Sequence, residues 1–475
     1  MSNSKVGRSA CALLVALWLC QGNTLAQGAP ATPAPDRAAA GELRERALAS
    51  GLAYELVSSL TTEVGPRPAG SEGERRAVAW GQRTMQRLGF DSIRAEPVTV
   101  PHWVRGEGAG EILSPFPQPV HLTALGGSVG TPPEGIAAEV VSFPSVAELE
   151  AAPDERVRGR IVFLDGRMER RRDGSSYREV VPNRGRGPSV AGAKGAVALL
   201  IRSVATGTHR FPHTGGTRYA EGAPRIPAAA LAVPDADLLA AQLARDEPVR
   251  FRLRLGARDL PQERSANVVG DLRGSERPEE IVLLACHLDS WDLGTGALDD
   301  GAGCGIVLAA AKLLAESGRR PARTVRVVLY ANEEFGLSGA RAYAEEHAEE
   351  LPRHLLGLEA DLGAGRVWGF SGNVAPEGLP FLRAILPELE PLGIEWIDRP
   401  AHGGADFVPL VEKRMPVADL HHDASEYFDY HHTADDTLDK VDPEALRQCV
   451  AAYALVAWWV AGGDTPLGPA PEAVD

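Results

Sequence analysis

His287 and Asp289 stand two residues apart, just after the apolar run 281–285. Asp299 and Asp300 precede a Gly- and Ala-rich segment with helical spacing. Glu333 and Glu334 follow the apolar run 324–331, Asp361 follows 355–360, and His431 and His432 lie beyond 417–420. Several carboxylates cannot crowd together at neutral pH without a compensating charge. Two histidines among carboxylates, with no thiolate, suit zinc or a similar divalent ion, and manganese or cobalt could replace it. A single catalytic zinc takes three protein ligands and keeps one position open. Five ligating segments exceed that need. They fit two ions sharing one carboxylate, roughly 3.5–4 Å apart. Taken singly, each piece has a structural explanation. His287 could be a satisfied core histidine, Asp299-Asp300 a pair of acids favoured at a helix N-terminus, Glu333-Glu334 a solvated loop, and the later histidines surface residues. Their conjunction after successive strands is what favours a metal site.

The elements that must position these groups are legible as periodicity. From about 265 to 463, apolar runs alternate with the helical segments 303–316, 338–346 and 442–461. The near-continuous run 281–285 reads as a strand buried on both faces. The alternation implies an α/β fold with a mainly parallel central sheet covered by helices on both faces. Ligands bind such sheets in the crevice at the carboxyl ends of the strands, where the acids and histidines stand. Between about 105 and 260 the texture changes to short β-like runs and Gly-, Pro- and Arg-rich loops, with a short helix at 235–243. That block reads as an inserted, mainly β domain. Helices are expected over 42–60 and 72–88, around the loop Gly65-Pro-Arg-Pro-Ala-Gly-Ser71. The division is a signal peptide at 1–26, an Ala/Pro-rich linker at 27–41, the first part of the main domain at 42–104, the insert at 105–260, the rest of the main domain at 261–465 and a tail at 466–475.

Composition narrows the classes further. The chain has 475 residues, with 49 Lys+Arg against 64 Asp+Glu, a formal charge of −15. So acidic a chain has no general pull toward phosphates, so nucleic acid is not an expected partner. The apolar runs at 10–20 and 450–461 fall short of the ~20 residues a membrane span needs. Lys5 and Arg8 before the first run, and Thr24-Leu-Ala26 after it, have the layout of a secretory signal. The protein is therefore expected in the periplasm or outside the cell. Three of the 5 cysteines, Cys286, Cys304 and Cys449, remain in the mature chain and read as small buried core residues. Gly126-Gly-Ser128-Val-Gly130 matches the serine-hydrolase elbow, but Thr131-Pro-Pro133 blocks the helix that motif requires.

The motifs His287-Leu-Asp-Ser-Trp291, Gly296-Ala-Leu-Asp-Asp-Gly-Ala-Gly303, Asn332-Glu-Glu-Phe-Gly336, Glu359-Ala-Asp361 and His432-Thr-Ala-Asp-Asp-Thr437 resemble, in order, those of the co-catalytic di-zinc peptidases. That family includes bacterial leucyl aminopeptidases and the glutamate carboxypeptidases. The resemblance covers about 41–100 and 265–463. The block 105–260 looks like the family's protease-associated domain, on Gly192-Ala-Lys-Gly-Ala196 and Ile226-Pro-Ala-Ala-Ala230. It implies that His287 and Asp361 bind one zinc, Glu334 and His432 the other, and Asp299 bridges both. Asp289 would accept the free N–H of His287, and Glu333 would be the general base on a metal-activated water. His431 would be a neighbour of the ligand, on the other side of the chain. His402, in His402-Gly-Gly-Ala-Asp406, is a candidate for contact with substrate or its oxyanion. By the same resemblance the substrate is a short peptide and the protein a homodimer. An aminoacylase-like amide hydrolase and a non-catalytic binding protein are the competing readings, and residue types alone leave open which peptide end is read.

Overall fold

The computed structural model describes residues 37–245, 247–318, 320–464 and 467–471. The expected signal peptide and most of the linker lie outside the described residues. The main sheet has eight strands: β1 (Ser92–Val104), β2 (Arg258–Leu272), β3 (Arg277–His287), β4 (Arg323–Tyr330), β5 (His354–Glu359), β6 (Val367–Asn373), β7 (Glu395–Trp396) and β8 (Val417–His422). Their spatial order is β1-β2-β4-β3-β5-β8-β6-β7. The central four, β4, β3, β5 and β8, are parallel. The flanks are not: β1–β2, β2–β4 and β6–β8 pair antiparallel. The sheet is thus parallel where periodicity is strongest and mixed overall. Pro97 and Pro101 fall in β1, an edge strand, where a missing N–H is tolerated.

Helices α1 (Arg37–Ala49), α2 (Leu52–Ser59), α3 (Glu72–Leu88), α4 (Ala302–Ala315), α5 (Ser338–Glu346) and α6 (Pro443–Gly462) cover this sheet. Successive residues of a strand point to opposite faces. Val282, Leu284 and Cys286 of β3 therefore join the core under α1–α4 and α6. Leu283 and Ala285 join a second core with Tyr343 of α5, Phe407 and Leu410. That is why this run is apolar without alternation. α6 is long and apolar enough to cross a membrane by length and composition, yet it is buried inside the protein on nearly every side. An all-round apolar helix of this kind is a core helix of a large domain.

The helix expected over 42–60 is two. α1 ends at Ala49, and Ser50 Oγ accepts the Leu52 N–H (3.2 Å) to start α2. A continuous helix would carry Gly51 in its interior, a loss of about 1 kcal/mol. A π-helical turn, Leu60–Val64, then ends at Gly65 with φ +74°. α3 runs as the pattern predicts, capped by Ser71 Oγ accepting the Glu74 N–H (3.1 Å) and closed by left-handed Gly89.

A second eight-stranded sheet is drawn from residues between 108 and 255. Its order is Gln118–Val120, Gly108–Ser114, Arg250–Leu255, Ile136–Phe143, Ile161–Leu164, Ala198–Arg202, Ala228–Leu231, Leu122–Ala124. Phe163, Leu200 and Phe251 lie in a core of its own. Val104 at the end of β1 pairs with Arg258 at the start of β2. The chain therefore leaves the main sheet and returns to it at neighbouring points.

Candidate metal centre

The carboxyl end of β3 delivers His287, and the loop before α4 brings back Asp299. The ends of β4 and β5 deliver Glu333, Glu334 and Asp361, and the segment after β8 brings His432. These side chains meet. His287 Nε2 lies 3.0 Å from Asp299 Oδ1 and 3.4 Å from Asp361 Oδ1. His432 Nε2 lies 3.1 Å from Asp299 Oδ2 and 3.2 Å from Glu334 Oε2. Asp299 thus presents one oxygen to each histidine. Donor atoms of His287, Asp299 and Asp361 fall within 4.8 Å of one another, as do those of Asp299, His431 and His432, and of His287, Glu333 and Glu334. Glu334 Oε2 also accepts the Trp291 indole N–H (2.6 Å), while its Oε1 is buried without a partner. Oxygen and imidazole donors, an orphaned carboxylate oxygen and no thiolate make a set that fits divalent cations of the zinc type.

The electrostatics fit a cluster that needs cations. Burial raises the Asp299 carboxyl, but hydrogen bonds from His287 and His432 outweigh it and hold Asp299 well below the usual range. Burial lowers His432, yet Glu334 and Asp299 bring it up to about 9. Glu333 is pushed well above the carboxylate range, first by burial and then by Glu334, Asp361 and Asp289 despite His287.

One expectation is refined and one is corrected. The group nearest His287 Nδ1 is the backbone oxygen of Asp289 (3.1 Å), with its carboxylate at 3.6 Å. That carboxylate, while remaining an ion-pair partner of His287, also accepts the backbone N–H groups of Glu333 (3.0 Å) and Glu334 (3.4 Å), so Asp289 holds the end of β4. His431 is not on the other side of the chain. Its ring stacks on that of His432, with centroids 3.5 Å apart, and its Nε2 lies 3.7 Å from Asp299. The left-handed backbone of His432 (φ +64°) brings the two consecutive rings to one side.

His402 lies outside this cluster. It is exposed in an adjoining cavity of about 870 Å³ that shares Tyr177 and Asp361 with the site. Its backbone N–H donates to Asp419 (2.8 Å), and its Nε2 is 3.5 Å from Arg178. The cavity over the metal-type cluster is about 400 Å³, and residues 177–218 line part of its wall.

Several functional neighbours carried no signal in spacing. Thr214 O lies 3.3 Å from His432 Nδ1; with the proton on Nδ1, it accepts that N–H and leaves Nε2 facing Asp299 and Glu334. Arg184 lies beside the same ring, 8% exposed, its Nη2 donating to Tyr177 Oη (2.6 Å). Both belong to the second sheet's part of the chain, so periodicity around the strand ends could not find them. Asp436 had a signal, inside His432-Thr-Ala-Asp-Asp-Thr437, but no assigned role. It accepts the N–H groups of Leu298 (2.6 Å) and Asp299 (3.3 Å) and so fixes the backbone under Asp299.

The sequence profile of Peptidase family M28 matches residues 267–457, the segment that supplies all these donors. Carboxypeptidase Q of Xenopus laevis is 37% identical over 413 residues, spanning 87% of this chain and 86% of that protein. The chain belongs to peptidase family M28. A crystal structure of a Peptidase M28 precursor from Shewanella amazonensis SB2B has 47% sequence identity to this M28 peptidase, with TM-score 0.90 over 92% of this chain and 99% of that one. BSAP, a zinc aminopeptidase from Bacillus subtilis, has TM-score 0.61 at 21% identity over 86% of this chain and 93% of its own, and shares the M28 fold.

Proposed function

We propose that this M28 protein is an exported, zinc-dependent exopeptidase that hydrolyses short peptides and reads a free C-terminal carboxylate. The observation that carries the metal reading is Asp299, whose two oxygens stand 3.0 and 3.1 Å from the imidazoles of His287 and His432. His287 and Asp361 would hold one ion, Glu334 and His432 the other, and Asp299 both. Two zinc ions, when bound, supply Lewis acidity and lower the pKa of water in the site. Glu333 takes the proton of the attacking water on its carboxylate and returns it to the leaving amine. Asp289 and Thr214 orient, the first through the Glu333 backbone and the second through His432 Nδ1. His402, across the adjoining cavity, contacts the part of the substrate beyond the scissile bond.

Arg184 supports the choice of peptide end. With His432 Nδ1–H donating to Thr214 O, that nitrogen offers no lone pair to Arg184 Nη1, which lies 3.4 Å away. Nη1 reaches Thr214 O at a long 3.5 Å, and Nε is buried without a partner. Among the described residues no carboxylate pairs with this guanidinium. A cation without a carboxylate partner in the wall of a peptidase cavity suits a substrate carboxylate. Carboxypeptidase Q, by its name, acts at that end. The homodimer expected from sequence is retained as part of the proposal.

Amino-acid release from one dipeptide, supplied free, N-acetylated or C-amidated, tests this with and without chelator. Chelation abolishes release, and C-amidation abolishes it as well. Arg184→Met raises KM for the free dipeptide about 10–100-fold, the worth of a charged hydrogen bond. Cleavage that survives amidation but not acetylation would make the enzyme an aminopeptidase.

A further inference from the structure

Cys286 is the penultimate residue of β3, one before His287, and Cys304 sits in the first turn of α4. Both side chains are fully buried in the main core. Their sulfurs lie 2.8 Å apart. That is shorter than an ordinary N–H···O contact of about 2.9–3.0 Å between much smaller atoms. A thiol is a weak donor and a weak acceptor, so an S–H···S hydrogen bond does not account for so close an approach. An S–S bond of ~2.0 Å needs the sulfurs to close by about 0.8 Å. Cys304 Sγ also lies 3.2 Å from His287 O, as Cys449 Sγ lies 3.3 Å from Gly365 O, but Cys449 has no second sulfur beside it among the described residues.

We propose that Cys286 and Cys304 form a disulfide that clamps the end of β3 to the start of α4. The loop it closes carries His287, Asp289 and Asp299, so the bridge would tether one metal-binding strand end to the segment that returns the bridging carboxylate. Oxidation proceeds by thiol–disulfide exchange with a disulfide oxidant. The thiolate of one cysteine attacks it, and the second cysteine then displaces the mixed disulfide. Two protons and two electrons leave the pair, and the oxidant departs as two thiols. Because both sulfurs are buried, the exchange takes place before the core closes. Formation in the cell rests on the export proposed above, since exported compartments are the ones in which disulfides persist.

The full-length protein, expressed with its own N-terminus, is recovered, denatured in acid, alkylated with and without prior reduction, and mapped by mass spectrometry. One alkylated cysteine without reduction, Cys449, and three after it is the expected result, with the peptides of Cys286 and Cys304 linked. Cys304→Ala should leave two alkylatable thiols, and reduction should lower the melting temperature of the parent by several degrees. Refolding the reduced chain with zinc in a glutathione redox buffer separates the two readings. Three free thiols in active refolded protein overturn the disulfide. A linked pair after refolding, with Cys286 and Cys304 both unlinked in active protein taken from cells, upholds the disulfide and overturns export.

Discussion

Glu333 and Glu334 are neighbours in sequence with different surroundings. Glu334 is held by the Trp291 indole and faces His432. Glu333 has its backbone anchored by Asp289 and its carboxyl on the cavity wall, pushed well above the usual range by burial first. Cations held beside it would bring that carboxyl down again and leave it ionised, as a general base must be. Glu333→Gln should therefore keep its metal, measured by elemental analysis, while kcat falls about 10²–10⁴-fold. Wild-type turnover in that variant would remove Glu333 from the role. Residue types and spacing were enough to nominate a pool of acids and histidines, most of them just beyond apolar runs, and the family resemblance picked His287, Asp299, Glu333, Glu334, Asp361 and His432 out of it. Arg184 and Thr214 were not legible, because they reach the site from a part of the chain over 70 residues away from the nearest of these motifs.

At the scale of elements, the loop between β3 and α4 is fixed from a distance. Asp436 accepts the backbone N–H groups of Leu298 and Asp299, and burial raises its carboxyl to about 7. Asp436→Ala frees the backbone beneath Asp299. It should weaken metal affinity about 10–100-fold, as losing support behind a ligand typically does, in a competition with a chromophoric chelator. A second network joins β1, β4 and α5, outside the site. His347 contacts Glu350 (2.8 Å) and Glu96 (3.1 Å), and Glu350 also binds Arg326 (2.6 Å). Burial lowers His347, but Glu350 and Glu96 outweigh it and raise it to about 9. Hydrogen bonding from His347 lowers Glu350 to about 2. The raised histidine stabilises fully below its ordinary value near 6.5 and loses that contribution as pH rises through about 9. The lowered glutamate stabilises fully above 4.5 and loses it as pH falls toward about 2. The network is therefore strongest between about 4.5 and 6.5. His347→Gln should lower stability in urea by roughly 1–2 kcal/mol at pH 6, after discounting for partial exposure, and by much less at pH 10. The parallel strands and α3–α6 were legible because their apolar periods are long. The antiparallel flanks were not, because β1 and β2 alternate weakly and owe their place to pairing with each other across the insert.

For the whole molecule, Arg105 joins the two sheets. It forms an ion pair with Asp292 in the loop after β3, and its Nη1 donates to Thr123 Oγ1 and Thr214 Oγ1, both at 2.9 Å. Its guanidinium also lies over Trp103 and Trp291. Thr214 is the residue whose carbonyl faces His432. Arg105→Ala leaves the Asp292 charge without its partner and loosens Thr214. Denaturant unfolding should register a loss of about 3 kcal/mol, and activity should fall in protein that remains folded. Unchanged stability would mean that the other contacts between the two parts, such as Arg170 with Asp429, hold them without Arg105.

The sequence by itself determined the parallel centre of the main sheet, the strand ends and the donor types gathered there, because buried strands and metal ligands each restrict residue choice locally. Tertiary structure decided the rest. It stacked His431 on His432, gave the Asp289 carboxylate the backbone of Glu333 as well as the histidine to hold, and set Arg184, Thr214 and Arg105 against the site. Those contacts join residues far apart in the chain, and no period or motif encodes a meeting that packing alone creates.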